Sequence, residues 1–136
     1  KQQMKMGKAV VLEDEGNDFA MIYEGSTTDL AMRSFEAYRE KGKKGKLINI
    51  FSVKPVDREL IRAVAEKVEK IVTIENHSII GGLGGLVAET ICDMPKHAPL
   101  ARVGVEDVFT ESGSLKAVKE KYGLTVENVL KKLEEV

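Results

Sequence analysis

Residues 71–91, IVTIENHSIIGGLGGLVAETI, contain the pattern that decides the fold. They open with the apolar run Ile71–Ile74, which is typical of a buried β-strand. Four glycines follow within the five positions 81–85. Apolar residues then recur at helical spacing, at Leu83, Val87 and Ile91, and predict a helix over about residues 84–93. A strand that passes through a short turn into a helix is one unit of an α/β sheet.

The same alternation of strand and helix extends in both directions from this stretch. Short apolar runs predict four further strands, at residues 9–12, 19–23, 47–51 and 101–105. Apolar residues at helical spacing predict four further helices, which begin after Ser26, after Asp57, near Ser114 and at Thr125. Strands that alternate with helices indicate right-handed crossovers and a mainly parallel sheet with helices on both faces.

The polar link between the first two strands, residues 13–18 (EDEGND), consists of residues that favour turns. It predicts that the two strands form an antiparallel hairpin. The expected fold is therefore a single α/β domain over residues 1–136. It has three layers, α/β/α, around a mainly parallel five-stranded sheet with one antiparallel strand.

Charge and cysteine content exclude several classes of protein. Lys plus Arg number 21 and Asp plus Glu number 22, so the net charge of −1 argues against nucleic acid or an anionic membrane as a partner. The only cysteine, Cys92, rules out an internal disulfide and favours a reducing, cytoplasmic location. Its position beside the apolar stripe of the third helix predicts a packed thiol. The chain begins with Lys-Gln-Gln, as expected of a piece cut from a longer polypeptide.

The glycine-rich turn allows two interpretations. Gly82 and Gly84 supply two glycines of a GxGxxG dinucleotide motif, but Val87 stands in the third place and no P-loop lysine follows. A small anion could still bind at the start of the helix, where free N–H groups point outward. Alternatively, the glycines let the helix lie close to a neighbouring strand or to another subunit.

The residues reveal no catalytic, cofactor-binding or metal-binding constellation. His77 lies between Glu75 and Ser78, but adjacency in sequence does not create a Ser/His/acid relay. The two histidines and Cys92 match no metal-ligand spacing such as HExxH or CxxC. The polar stretch 107–114 is typical of a loop followed by a helix cap.

Four segments in register nevertheless resemble one family, the C-terminal domain of transketolases. They are the opening strand at residues 7–12, the strand with Lys-Pro-Val-Asp at residues 48–57, the Glu-x-His and glycine segment at residues 72–89, and Asp-Val-Phe-Thr-Glu-Ser-Gly at residues 107–113. The resemblance covers nearly the whole chain. Deoxyxylulose-phosphate synthases and the beta subunits of 2-oxoacid dehydrogenases carry a cognate domain and remain alternatives.

The resemblance implies that this chain assists a reaction whose chemical groups lie elsewhere. In the family, thiamin diphosphate and a divalent metal sit between two other domains, so no catalytic, cofactor or metal residue carries over to this chain. The expected partners are those domains or an N-terminal subunit, together with further copies of the chain. The chain alone is expected to be inactive. The candidates for interdomain contact are Glu75, His77, Gly81, Gly82, Gly84 and Gly85.

Overall fold

The computed structural model describes residues 9–50, 57–78, 82–105 and 124–136. The strands are β1 (Ala9–Asp14), β2 (Phe19–Glu24), β3 (Gly45–Ile50), β4 (Ile71–Ser78) and β5 (Leu100–Val105). The helices within these ranges are α1 (Thr28–Glu40), α2 (Arg58–Lys67), α3 (Leu83–Ile91) and α4 (Val126–Glu135), and a 3-10 turn (Gly25–Thr27) precedes α1. The predicted helix near residues 115–122 and the polar stretch 107–114 lie outside the described residues.

The five strands form one sheet in the order β1-β3-β2-β4-β5. Only β1 is antiparallel to its neighbour; the β3–β2, β2–β4 and β4–β5 pairs are parallel. Helices α1 and α4 cover one face, and α2 and α3 cover the other. The predicted three-layer fold with one antiparallel strand is therefore confirmed.

The predicted hairpin is wrong, because β3 lies between β1 and β2. The link between these strands crosses the beginning of β3, where the Glu15 N–H donates to Gly45 O at 2.9 Å and the Asp18 N–H donates to Lys44 O at 2.9 Å. Gly16 in the link permits this close approach, since a Cβ there would lie 2.9 Å from Lys44 Cβ. The apolar strand β3 is thereby paired on both sides. The turn residues between β1 and β2 give no indication of this long-range pairing.

Two apolar clusters fill the spaces between the layers. On the α1 side, Phe19 packs its ring against Tyr38 with centroids 4.9 Å apart. On the α2 side, Ile22, Ile48 and Val87 are buried together. Each fully buried side chain of this size contributes about 1.5–3 kcal/mol relative to exposure, so the clusters hold both helix layers on the sheet.

Helix α4 is joined to the first cluster by polar contacts as well. The Tyr38 hydroxyl donates to Glu134 Oε2 at 2.6 Å, and Lys70 Nζ donates to Leu133 O at 2.9 Å. Burial, and then the hydrogen bond from the hydroxyl to Glu134, raise the pKa of Tyr38 well above its ordinary value of 10.0. These contacts fix the C-terminal helix to the last turn of α1 and to the residue that precedes β4.

Most of the predicted helix boundaries are confirmed. Gly42, just past α1, has a φ of +89°, which glycine adopts without strain. The side chain of Asp57 accepts from the Leu60 N–H at the start of α2, and the side chain of Thr125 does the same for Asn128 at the start of α4. Across the described ranges, no helix has both the length and the apolar character needed to cross a membrane.

The expected packing of Cys92 is wrong, because its side chain is exposed. Cys92 follows Ile91 at the end of α3 and is rotated about 100° around the helix from that buried residue. This rotation turns the thiol away from the apolar stripe. Its Sγ lies 3.3 Å from Glu89 O, within the same helix.

Candidate functional site

The carboxyl ends of β2 and β4 mark the point at which the chain reverses its direction across the sheet. From β2 the chain crosses to β3 on one side, and from β3 it crosses back to β4 on the other. In doubly wound sheets, this switch point is where ligands and neighbouring groups bind. Two glutamates lie there, Glu24 at the end of β2 and Glu75 within β4.

Glu75 caps the start of α3 from the preceding strand. Its side chain is 1% exposed, and its two carboxylate oxygens accept the N–H groups of Leu83 at 2.6 Å and Gly84 at 2.8 Å. The residue at the usual capping position, Gly82, has no side chain that could do this. The carboxylate therefore satisfies two backbone donors that a helix leaves open, and its charge suits the positive end of the helix dipole.

Glu24 has a comparable role one strand away. Its carboxylate accepts the N–H of Ser26 at 2.8 Å, the hydroxyl of Ser26 at 2.5 Å and the N–H of Asn76 at 2.9 Å. The last of these contacts ties the end of β2 to β4 beyond their ladder, which runs from Ala20 to Tyr23 on β2. Both glutamates at the switch point are thus engaged by backbone donors of the domain itself.

Gly84 lets α3 lie directly on the sheet. A Cβ at this position would lie 2.6 Å from Arg102 Nε, 3.0 Å from Thr73 Oγ1 and 3.1 Å from Arg102 Cγ. At Gly85 a Cβ would meet Arg102 Nη2 at 3.5 Å, which is ordinary contact. The first turn of α3 therefore rests on the side chains of β4 and β5, and Gly84 provides the necessary close approach.

The structure separates the six residues predicted for interdomain contact. Glu75 and Gly84 are buried inside the domain, while Gly82 and Gly85 are partly exposed. His77 lies in β4, and its side chain is outside the described part of the structure. Gly81 lies outside the described residues as well.

Sequence reasoning missed Glu24, Thr73 and Arg102. The position of Glu24 at the end of an apolar strand is a signal that a search for switch-point residues could have used. Thr73 and Arg102 face each other in the β4–β5 register, which no local pattern reports. Only the crossover between these strands brings the two side chains under the same helix.

Two of the segments that carry the family resemblance include the end of a strand at this edge. The segment 48–57 includes the second half of β3, and the segment 72–89 includes most of β4. Because β2, β3 and β4 are parallel, the carboxyl ends of these strands lie at the same edge of the sheet.

The fold and this edge define a doubly wound α/β domain. Its switch-point carboxylates accept hydrogen bonds from the backbone of the domain itself. The family model for the transketolase C-terminal domain matches residues 7–129. The chain belongs to that family.

Individual relatives agree with this assignment. A protein of Methanocaldococcus jannaschii named as a transketolase C-terminal section is 37% identical over 131 residues, which are 96% of this chain and 40% of that protein. The 1-deoxy-D-xylulose-5-phosphate synthase of Acidobacterium capsulatum is 36% identical over 132 residues, which are 97% of this chain and 21% of the synthase. The chain therefore spans about two fifths of one relative and one fifth of the other.

A solved structure is also similar. It is a split-gene transketolase in the form of an inactive beta4 tetramer, with a TM-score of 0.89 and 36% identity over 98% of this chain and 43% of that one. The family resemblance and the fold class predicted from the sequence are both confirmed.

The family belongs to the thiamin diphosphate enzymes. The switch-point carboxylates accept backbone N–H groups, and the N–H groups of Leu83 and Gly84 already have an acceptor. Within the described ranges, no group of three or more His, Cys, Asp or Glu side chains could hold a metal ion. The described residues do not fit a diphosphate and its cation.

Proposed function

We propose that this chain is the C-terminal assembly domain of a transketolase, an enzyme that transfers a two-carbon ketol unit between sugar phosphates. Thiamin diphosphate and its divalent cation bind to other domains of that enzyme. This chain supplies a rigid body that packs beside them and takes no part in the chemistry. The single cysteine fits the reducing, cytoplasmic location that belongs to the proposal.

The capping contact of Glu75 is the observation that carries this proposal. Among the described residues, the glycine-rich start of α3 is the feature that resembles a phosphate site, and the carboxylate of Glu75 already occupies its donors. A second anion at this point would meet both a filled position and a like charge. The contact therefore favours a scaffold role over the alternative of a small anion-binding regulatory module.

A second candidate is the C-terminal domain of a 1-deoxy-D-xylulose-5-phosphate synthase. The two named relatives differ by only one per cent in identity to this chain, 37% against 36%. A domain that only assembles its neighbours does not record which reaction they perform. The coding sequence upstream of Lys1 separates the candidates, because the diphosphate-binding and aminopyrimidine-binding domains of the two enzymes differ.

We infer that the carboxyl edge of the sheet is the surface through which the domain meets its neighbours. Strands β3 and β4, each of which lies partly within a family segment, end there. His77, Gly81, Gly82 and Gly85 are the members of the predicted set that remain candidates for contact. Self-association is part of the proposal, supported by the tetrameric form of the similar structure. The partners are the other transketolase domains, or an N-terminal subunit, and further copies of this chain.

Isothermal titration calorimetry tests the absence of a cofactor site. We expect that thiamin diphosphate with Mg²⁺, titrated into this chain alone, produces no saturable heat. Saturable binding with a stoichiometry near one would contradict the proposal, because it would require a complete pocket in this domain.

Sedimentation velocity over a concentration series tests the assembly role. We expect the chain to associate, and His77→Asp to weaken that association at least about tenfold, since an unpaired charge in an interface costs more than about 1.4 kcal/mol. His97→Asp is the matched control, because His97 is exposed just before β5, at the opposite end of the strands. A monomer at every concentration, or an equal response to both substitutions, would contradict the proposed interface.

A further inference from the structure

A row of polar side chains lies beneath the first turn of α3, where the rest of the layer contact is apolar. Successive side chains of a strand point to opposite faces of the sheet. Val72 and Ile74 belong to the cluster on the α1 side, so Thr73 and Glu75 point to the α3 side of β4. Arg102 pairs with Thr73 in the β4–β5 register and contacts the same turn of the helix. This row and the start of α3 form one polar cluster inside the domain.

The cluster has the composition of an anion-binding site. Two adjacent N–H groups at the start of a nine-residue helix point at one place, glycines let the backbone approach closely, and a guanidinium lies beside them. In such sites the position in front of the N–H groups is normally taken by an external oxyanion. Here it is taken by the Glu75 carboxylate, with both oxygens engaged at 2.6 Å and 2.8 Å.

Thr73 provides an independent indication that this place is built for a polar group. Its side chain is completely buried, and its Oγ1 has no hydrogen-bond partner among the described residues. The oxygen is directed at the first turn of α3, 3.0 Å from where a Cβ of Gly84 would lie. A buried hydroxyl without a partner is costly, so Thr73 Oγ1 favours a hydrogen-bonding group beneath the first turn of α3.

We propose that the start of α3 is an anion-binding site whose anion is supplied by the chain itself. Glu75 is a positioning residue: its carboxylate takes the place of an external ligand and locks β4 to α3. The N–H groups at the start of α3 are thereby satisfied by the chain itself. When the Glu75 side chain is removed, the vacated position becomes a site for a small carboxylate such as formate. This inference concerns the interior of the domain and is independent of the proposed assembly role.

Chemical rescue of Glu75→Ala tests the inference. Thermal unfolding is followed by circular dichroism in sodium formate and in sodium chloride at equal ionic strength. We expect formate to raise the unfolding midpoint of Glu75→Ala by several degrees, with saturation, and to leave the wild-type midpoint unchanged relative to chloride. If Glu75→Ala is already unfolded in chloride, the circular dichroism signal shows instead whether formate makes the variant fold.

Asp57→Ala is the matched control, because it also removes a carboxylate that caps a helix. The Asp57 carboxylate accepts from Leu60 N at 3.3 Å in a partly exposed position, where water can replace it. We expect no formate-specific shift in this variant. An equal response of wild type, Asp57→Ala and Glu75→Ala would overturn the inference, because it would show a general salt effect.

Amide hydrogen exchange of Glu75→Gln supplies a readout that keeps the shape of the side chain. The carboxamide has one acceptor oxygen in place of two, so one of the Leu83 and Gly84 amides loses its partner. We expect that amide to exchange at least about tenfold faster, while Leu60 in α2 is unchanged. Unchanged exchange at both Leu83 and Gly84 would overturn the inference.

Discussion

The helices α3 and α4 begin in opposite ways. At the start of α4, the Thr125 hydroxyl accepts the Asn128 N–H at 3.2 Å, so the cap comes from the adjacent residue in a partly exposed position. At the start of α3, the cap comes from Glu75, eight positions before Leu83, on another element and inside the domain. One helix start is local and hydrated, and the other is long-range and buried.

The difference shows how burial changes what a helix start requires. Water can satisfy the open N–H groups at the start of α4 if Thr125 is lost, so its cap is exchangeable. The N–H groups of Leu83 and Gly84 lie against the sheet, where an unsatisfied donor carries its full desolvation cost. Glu75 must therefore both reach them and fit beneath the helix, which makes its position specific.

Removal of the two caps should give the largest contrast. We expect Glu75→Ala to reduce the free energy of unfolding by about 3 kcal/mol, because two buried N–H groups lose their acceptors. Thr125→Ala should cost only about 1 kcal/mol, as for an ordinary N-cap. Urea unfolding at neutral pH measures both changes, and losses of similar size would show that the two helix starts are equivalent.

The close approach of α3 to the sheet predicts a smaller loss of stability when Gly84 is replaced by alanine. Helix propensity alone would predict the opposite, a gain in stability. Gly84→Ala should reduce the free energy of unfolding by about 2 kcal/mol, because the added methyl group must displace Arg102 and Thr73. An alanine in an open helix would instead stabilise by up to about 1 kcal/mol.

Gly25→Ala is the control for that substitution, since a Cβ at Gly25 would meet nothing within 4 Å. We expect its effect on the free energy of unfolding to stay within about 0.5 kcal/mol. Stabilisation by Gly84→Ala in the same urea titration would show that α3 has room above the sheet and would remove the contrast with α4.

The far end of α4 sharpens the comparison through its pH dependence. Tyr38→Phe removes the hydrogen bond to Glu134 and should cost about 1 kcal/mol near neutral pH. The folded pKa of Tyr38 is raised, chiefly by burial, so its contribution is complete below its ordinary value of 10.0 and is lost as pH rises above it. The pKa of Glu134 is lowered by the same hydrogen bond, so its contribution is lost as pH falls below 4.5.

Urea unfolding of wild type and Tyr38→Phe across the pH range checks both signs. The stability difference between the two proteins should be largest between these limits and should shrink at either end. A difference that grows in alkali would mean that the hydroxyl is not protected by the fold.

The smallest effect should come from exchanging one good local cap for another. Thr125→Asp should change the free energy of unfolding by about 0.5 kcal/mol or less, because both side chains accept from the N3 amide. Glu75→Asp should cost far more, since the side chain that spans from β4 to α3 becomes one methylene shorter. Equal tolerance at the two positions, measured by thermal unfolding, would show that the reach of Glu75 is unimportant.

Several features of the fold were predictable from the sequence because each depends on neighbouring residues. The caps Asp57 and Thr125, the helix end at Gly42 and the positions of all five strands follow from patterns a few residues long. The pairing of β1 was not predictable in this way, since the turn residues 13–18 suit a hairpin and do not report that β3 inserts between its strands. The predicted packing of Cys92 was wrong, because the residue lies one position beyond the buried Ile91 and its side chain is exposed.

The candidate site was predicted only in part. The glycines and Glu75 were singled out from their spacing and from the family resemblance, and the close approach of a helix to a strand was one of two open interpretations. The cap on α3 could not be predicted, because nothing in the residues between positions 75 and 83 shows that the strand and the helix lie side by side. No local pattern marked Thr73 or Arg102 as members of the site.

The sequence by itself determined the elements, their order, the layered α/β class and the family, because periodicity and motifs act over short ranges of chain. The tertiary structure alone decided the strand order and the contacts at the start of α3. Crossovers and register bring together Glu75, Thr73, Arg102 and the start of α3, so the buried Glu75 carboxylate accepts the N–H groups of Leu83 and Gly84. These features depend on which elements lie next to each other in the folded domain. A short sequence pattern does not contain that information.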